Sequence, residues 1–220
     1  MSDVSAVPTL AVDGSRPLSI RTVKDLTALC DEVEDRGGAA FLRVTGAPAP
    51  GWAEGLDVAL VTKWERGLRR FERLPGATVA IAAGDCGGAA LDAFLTADIR
   101  IATRDSRLLL SFDGEATWPG MAAFRLARLA GAARARRAVL FGDPIPAPEA
   151  LRWGIADELT EAPDTAAAAA VQRCEGLSGK ELALRRQLLL DAMTVSFEDA
   201  LGPHLAACDR ALRRGVEEAA

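Results

Sequence analysis

The chain has 220 residues, of which 50% are hydrophobic and 26% charged, with a net charge of -5. This is the composition of one ordinary globular domain with a sizeable core; it excludes a disordered chain and gives no pull toward nucleic acid. The first ten residues carry Asp3 and Pro8 where a secretory leader would have basic and then apolar residues. The longest apolar runs, such as 77–83, fall far short of the ~20 residues of a membrane span. No CxxC pair occurs among Cys30, Cys86, Cys174 and Cys208, and His204 is the single histidine, so no metal site is expected. The expectation is a cytoplasmic protein with reduced thiols.

In chain order, residues 1–10 read as a loose tail and 10–12 as a short apolar segment before an Asp13-Gly14 turn. Over 23–33, Val23, Leu26, Leu29, Cys30 and Val33 recur at helical spacing, and Gly37-Gly38 stops the helix. A strand is expected over 39–44, a Pro/Gly loop over 45–51, and a helix over 58–74 ended by Pro75-Gly76. Residues 78–83 read as a buried strand, 84–88 as a tight loop, 89–97 as a helix, and 99–102 and 108–112 as strands. Helices follow over 124–130, 134–141, 148–153, 166–174, 180–193 and 196–214. The alternation of strand and helix points to an α/β fold with a largely parallel sheet. The expected division is a core over 1–162 and an all-helical region over 163–220.

The segment most suited to chemistry is Ala83-Gly84-Asp85-Cys86-Gly87-Gly88-Ala89-Ala90-Leu91-Asp92. A buried strand enters a small-residue turn and then a helix, so a ligand can approach the backbone closely. The first turn of a helix has unpaired N–H groups and the positive end of the dipole, a place where an oxyanion is stabilised. Asp92 lies one turn into that helix. The bland alternative is a packing turn followed by an ordinary first-turn acid.

A larger pattern bears on that choice. Residues 81–102 resemble the signature of the crotonase (enoyl-CoA hydratase/isomerase) family. The resemblance continues through Trp118-Pro119-Gly120, 125–131, 142–147, Glu149-Ala150 and 153–159, in the family's order and nearly its spacing, and then through 196–201. It implies a ββα spiral with a C-terminal helical region that trimerises. It implies an acyl-CoA substrate, with coenzyme A as part of that substrate and no further cofactor. The family holds the thioester carbonyl oxygen with two backbone N–H groups. Trp52-Ala53-Glu54-Gly55-Leu56-Asp57 is similar to the segment supplying the first, which places one donor at Glu54; the turn at Gly87, Gly88 and Ala89 supplies the other, at Ala89. Gly55, Gly87 and Gly88 support the turns.

The acid/base groups depart from the family. Asp92 falls at the first of the two glutamates that hydratases use, and the second falls at Phe112, which cannot transfer a proton; Asp113 and Glu115 are the nearest substitutes. One-base chemistry with Asp92 is therefore expected in place of simple hydration. Cys86 reads as a small packing residue, and His204 as a surface or interface residue. Arg134, Arg136 and Arg137 read as a solvated face, and Arg185 and Arg186 stand near a position where the family often contacts CoA. Together these departures resemble the small crotonase-like branch of dihydroxyphenylglycine biosynthesis in glycopeptide-antibiotic pathways. That resemblance implies help with dehydration and aromatisation of a polyketide thioester to 3,5-dihydroxyphenylacetyl-CoA, beside a type III polyketide synthase. The alternatives are an enoyl-CoA hydratase or isomerase of general metabolism and a non-catalytic accessory subunit. A homotrimer or hexamer is expected, with neither nucleic acid nor membrane as partner.

Overall fold

The fold is that of a computed structural model, described for residues 7–113, 115–177 and 179–217, with side chains to Arg214 in the last helix. Seven strands and nine helices occupy the described residues in the order β1 (Thr9–Asp13), α1 (Ile20–Arg36), β2 (Ala40–Gly46), α2 (Val58–Phe71), β3 (Thr78–Gly87), α3 (Gly88–Phe94), β4 (Ile99–Thr103), β5 (Arg107–Leu109), α4 (Met121–Ala130), α5 (Ala132–Phe141), β6 (Ile145–Pro146), α6 (Ala147–Arg152), β7 (Glu158–Thr160), α7 (Pro163–Cys174), α8 (Gly179–Asp191) and α9 (Phe197–Glu217). The strands β1-β2-β3-β4-β7 pair in that order, all parallel, while β5 pairs in parallel with the end of β3 and antiparallel with β6. The expected α/β fold with a largely parallel sheet is what forms. Of the tail expected over 1–10, residues 1–6 lie outside the described residues, and Thr9 and Leu10 belong to β1.

The first two helices start from side-chain caps. Ser19 accepts from the Thr22 N–H at 3.2 Å to open α1, and Asp57 accepts from the Leu60 N–H at 2.6 Å to open α2. The five residues placed on one face of α1 are the five that it buries. Alternation along the strands serves two cores. Leu42, Val44, Ala80 and Ala82 pack with α1, α2 and α3 on one side. Phe41, Val79 and Ile81 pack with Ile101 and with Ala166, Ala167 and Ala170 of α7 on the other. The alanine-rich run thus lets α7 lie close on the second face of the sheet.

Residues 84–88 are not the loop the sequence suggested: β3 runs on to Gly87. Its first half pairs with β4 through Val79–Ala82, and its second half with β5 through Asp85–Gly87. Gly84 makes the change of direction with φ +67, a region open to glycine. Hydroxyls satisfy the backbone at the bend: Thr45 donates to the Ala83 carbonyl, Ser106 to the Ala82 carbonyl, and Thr103 accepts from the Gly84 N–H. The bend aims the end of β3, and the start of α3, away from the first half of the strand.

α8 buries none of its residues fully. Its anchor is Arg186, whose guanidinium meets Asp98 at 2.7 and 2.5 Å, donates to the Gly76 carbonyl at 2.9 Å and also bonds the Leu74 carbonyl. α9 is tied to α8 through Arg214 and Glu181 at 2.8 Å. Leu189, Met193, Phe197, Leu205 and Leu212 are exposed on this pair. Among the described residues, no helix is long and apolar enough to cross a membrane.

Candidate active site

A pocket opens between the turn after β1, the loop before α2, α2 itself, the start of α3 and the segment from β5 to α4. Its floor is the place where β3 becomes α3. Gly88 takes φ +53, and α3 begins without a side-chain cap, so its first N–H groups face outward unclaimed by the helix. Space is tight on all sides. A Cβ on Gly87 would lie 2.5 Å from Pro48 Cδ and 2.9 Å from the Leu109 carbonyl oxygen; one on Gly14 would lie 2.0 Å from the Gly87 carbonyl oxygen. Gly88, Ala89 and Asp92 all line this pocket, as the sequence suggested.

Asp92 is partly buried because it borders the pocket, with protein on its other sides. The Trp64 indole donates to its Oδ2 at 3.3 Å. Burial pushes its carboxyl up to about 7, and the charge of Glu65 adds to the push, while Arg125 and the Trp64 bond oppose it. A carboxyl poised there takes and gives protons near neutrality. Cys86 is fully buried in the core and its thiol is pushed far up by that burial, so it is the packing residue the sequence indicated.

The loop before α2 does not present Glu54 as expected. Its N–H donates to the Gly51 carbonyl at 2.9 Å, and those of Trp52 and Leu56 close neighbouring turns onto Ala49 and Ala53. Gly55 takes φ +72 within this winding. What the loop offers the pocket is Pro48, Trp52 and Leu56. Trp52 meets Trp118 edge to face at 5.4 Å and donates to the Phe112 carbonyl at 3.2 Å. Gly120 makes room for Trp118, since a Cβ there would lie 2.6 Å from the indole. With Trp64, three of the chain's four tryptophans line the pocket.

Neither substitute for the second acid is in the pocket wall. Phe112 is half exposed and bridges Thr117. Asp113 Oδ1 accepts from the N–H groups of Glu115 and Ala116, which lowers its pKa and fixes it in a surface turn. The carboxylate in the wall is one the sequence reading missed: Glu65, from the apolar face of α2. Arg125 of α4 holds it at 2.7 Å. Arg186 is the anchor of α8, engaged by Asp98 and two carbonyls, while Arg134, Arg136 and Arg137 are exposed on α5 and His204 on α9. Among the described residues, no cluster of three His, Cys, Asp or Glu is placed to hold a metal.

The profile of the enoyl-CoA hydratase/isomerase family matches residues 55–216. An "Enoyl-CoA-hydratase" of Amycolatopsis orientalis is 51% identical over 207 residues, which is 93% of this chain and 95% of that protein. A "Probable enoyl-CoA hydratase" of Bacillus subtilis is 28% identical over 214 residues, covering 89% and 82%. The crystal structure of an enoyl-CoA hydratase/isomerase from Marinobacter aquaeolei agrees with a TM-score of 0.79 at 19% identity, over 94% of this chain and 89% of its own, a likeness of fold alone. With a pocket whose floor is an uncapped helix start beside a poised carboxyl, and with matches of this extent, the chain belongs to the enoyl-CoA hydratase/isomerase, or crotonase, family.

Proposed function

We propose that this enoyl-CoA hydratase/isomerase-type enzyme acts on a cyclised polyketide thioester and assists its dehydration and aromatisation, working in the cytoplasm beside a type III polyketide synthase, with 3,5-dihydroxyphenylacetyl-CoA as the product. The observation that carries the chemistry is Asp92, poised at about 7 one turn beyond the start of α3. In this reading the Asp92 carboxylate takes the proton from the carbon next to the thioester carbonyl. The electron pair moves onto the carbonyl oxygen, which the Ala89 N–H stabilises as an enolate. The enolate then expels the β-hydroxyl, and the proton on Asp92 goes to that leaving oxygen, releasing water. The Glu54 N–H joins as second donor only where the Gly51–Glu54 turn opens. Coenzyme A belongs to the substrate, and no further cofactor is required. The walls of Trp52, Trp64 and Trp118 suit a planar ring more than a flexible chain.

Asp92→Asn tests this reading. It keeps size and polarity but cannot accept the proton, so exchange of the alpha proton on a bound acyl-CoA, or aromatic thioester formation with a partner synthase, should fall about 10²- to 10⁴-fold. An unchanged rate in both assays would remove Asp92 as the base and favour an accessory, non-catalytic role. A second reading rests on Glu65, which gives the pocket two carboxylates after all and favours ordinary enoyl-CoA hydration. Rapid hydration of crotonyl-CoA would support it.

A further inference from the structure

The mechanism above leaves one pocket carboxylate without a task. Glu65 follows Trp64 in the chain, and Trp64 is the residue whose indole holds Asp92. Glu65 is not a free acid: Arg125 donates to its Oε2 at 2.7 Å and to its Oε1 at 3.4 Å. The same guanidinium lies 3.6 Å from Glu72, whose other oxygen takes Arg69 at 2.6 Å. The Arg125 side chain is only 9% exposed, so this pairing is fixed from within the fold. The group therefore sets three carboxylates against two guanidiniums. Of these three, Asp92 is the carboxylate that no guanidinium pairs, so it is the one left to carry a proton.

The other groups near Asp92 do not change that balance. The Cys86 thiol on β3 stays neutral because burial pushes its ionisation up. Asp85 is held outside by Arg107 at 2.7 and 2.8 Å. Arg16 at the pocket mouth is exposed and lies 3.2 Å from Asp13.

We propose that Glu65 is a positioning residue for Asp92: locked by Arg125, it is the fixed anion against which Asp92 keeps its proton, so that one carboxyl serves in turn as base and acid. The proposal rests on the reading that Asp92 moves the proton, and it supplies what that reading lacks, a reason why no second proton-transfer group is needed at Phe112. Both oxygens of Glu65 are engaged by the Arg125 guanidinium.

The test is a titration of the Asp92 carboxyl carbon by NMR in the full chain, its signal assigned by its loss in Asp92→Asn. Glu65→Gln keeps the shape and still accepts from Arg125, but removes one negative charge and leaves the guanidinium uncompensated toward Asp92. Both effects lower the midpoint, by about one pH unit or more. Glu65→Asp retains the charge and should return the midpoint most of the way. In the alpha-proton exchange assay the half-maximal pH should move down with the titration in Glu65→Gln, and the plateau rate should fall because a weaker base remains. An Asp92 midpoint that is the same in Glu65→Gln as in the parent overturns the proposal. So does a Glu65→Asp that behaves as Glu65→Gln, which would make Glu65 a purely structural partner of Arg125. A shifted midpoint in a chain that exchanges no proton leaves the role of Glu65 standing and sinks the functional reading. Exchange with an unmoved midpoint does the reverse.

Discussion

Asp92→Asn should make the protein more stable, and only above a certain pH. The Asp92 carboxyl ordinarily loses its proton at 3.8 but does so at about 7 in the folded chain. The folded state therefore holds the proton where the unfolded state has released it. Stability contributed at this site is highest below about pH 4, declines as pH rises toward 7, and is flat beyond. Three units correspond to about 4 kcal/mol as an upper limit. Water in the pocket lowers this, because Asp92 borders it, so we expect about 1–3 kcal/mol. Asparagine has no ionisation to lose, and its amide oxygen still accepts from the Trp64 indole. Urea unfolding of both proteins across the range should show equal stability near pH 4 and an advantage for Asp92→Asn near pH 8. An advantage that does not vary with pH, or an Asn variant that is the weaker at pH 8, would show that the carboxyl is not held out of water as described.

Gly87→Ala should be destabilising by about 1–3 kcal/mol in thermal melts, since its Cβ meets backbone and the Pro48 ring, neither of which yields easily. Gly88→Val forces a branched residue to φ +53 and should lose both thioester affinity by calorimetry and about 1–3 kcal/mol of stability. Removing the guanidinium with Arg186→Ala takes a partner from Asp98, which keeps its bonds from Thr78, and from two part-buried carbonyls, so about 1–3 kcal/mol should disappear in denaturant titration, while the folded fraction binds acyl-CoA as before. The exposed apolar residues of α8 and α9 are expected to close a trimer or a dimer of trimers; a monomeric mass by light scattering at micromolar concentration would contradict that.

Periodicity served well where one face is buried and the element is long, as in α1, where each of the five spaced apolar residues is inside. It had nothing to act on in β6 and β7, which have two and three residues and are held by neighbours already in place. The glycines of 84–88 marked a break, but not that the strand would resume on a new partner, because pairing is a property of two segments. Asp92 was legible from its place one turn into α3. Glu65 was not, since α2 is dense with charge and one more acid looks solvated. The sign was there all the same: Val61, Trp64, Glu65, Leu68 and Glu72 share one helix face, and the apolar members of that face are buried or partly so. A carboxylate within such a stripe needs a cation from another element, and that element, α4, carries Arg125 among its own buried residues. The turn that engages the Glu54 N–H was not legible, because sequence similarity reports which loop a residue belongs to and not how that loop is wound.

Arg186 has a mechanical consequence. A helix fastened by apolar burial resists every direction of displacement alike, whereas one fastened by a single guanidinium behaves as if pegged at a point. The strength of the peg is directional, set by two Asp98 oxygens and two carbonyls, and the packing around it is partial, since the residues of α8 are half-buried or exposed and none is fully enclosed. α8 and α9 thus form an arm whose angle can be fixed by whatever it rests on, while its root stays tied to the start of β3 and the turn before β4. Amide exchange should find this arm opening as a unit well before the sheet does, with the Arg186 end the last part of it to let go.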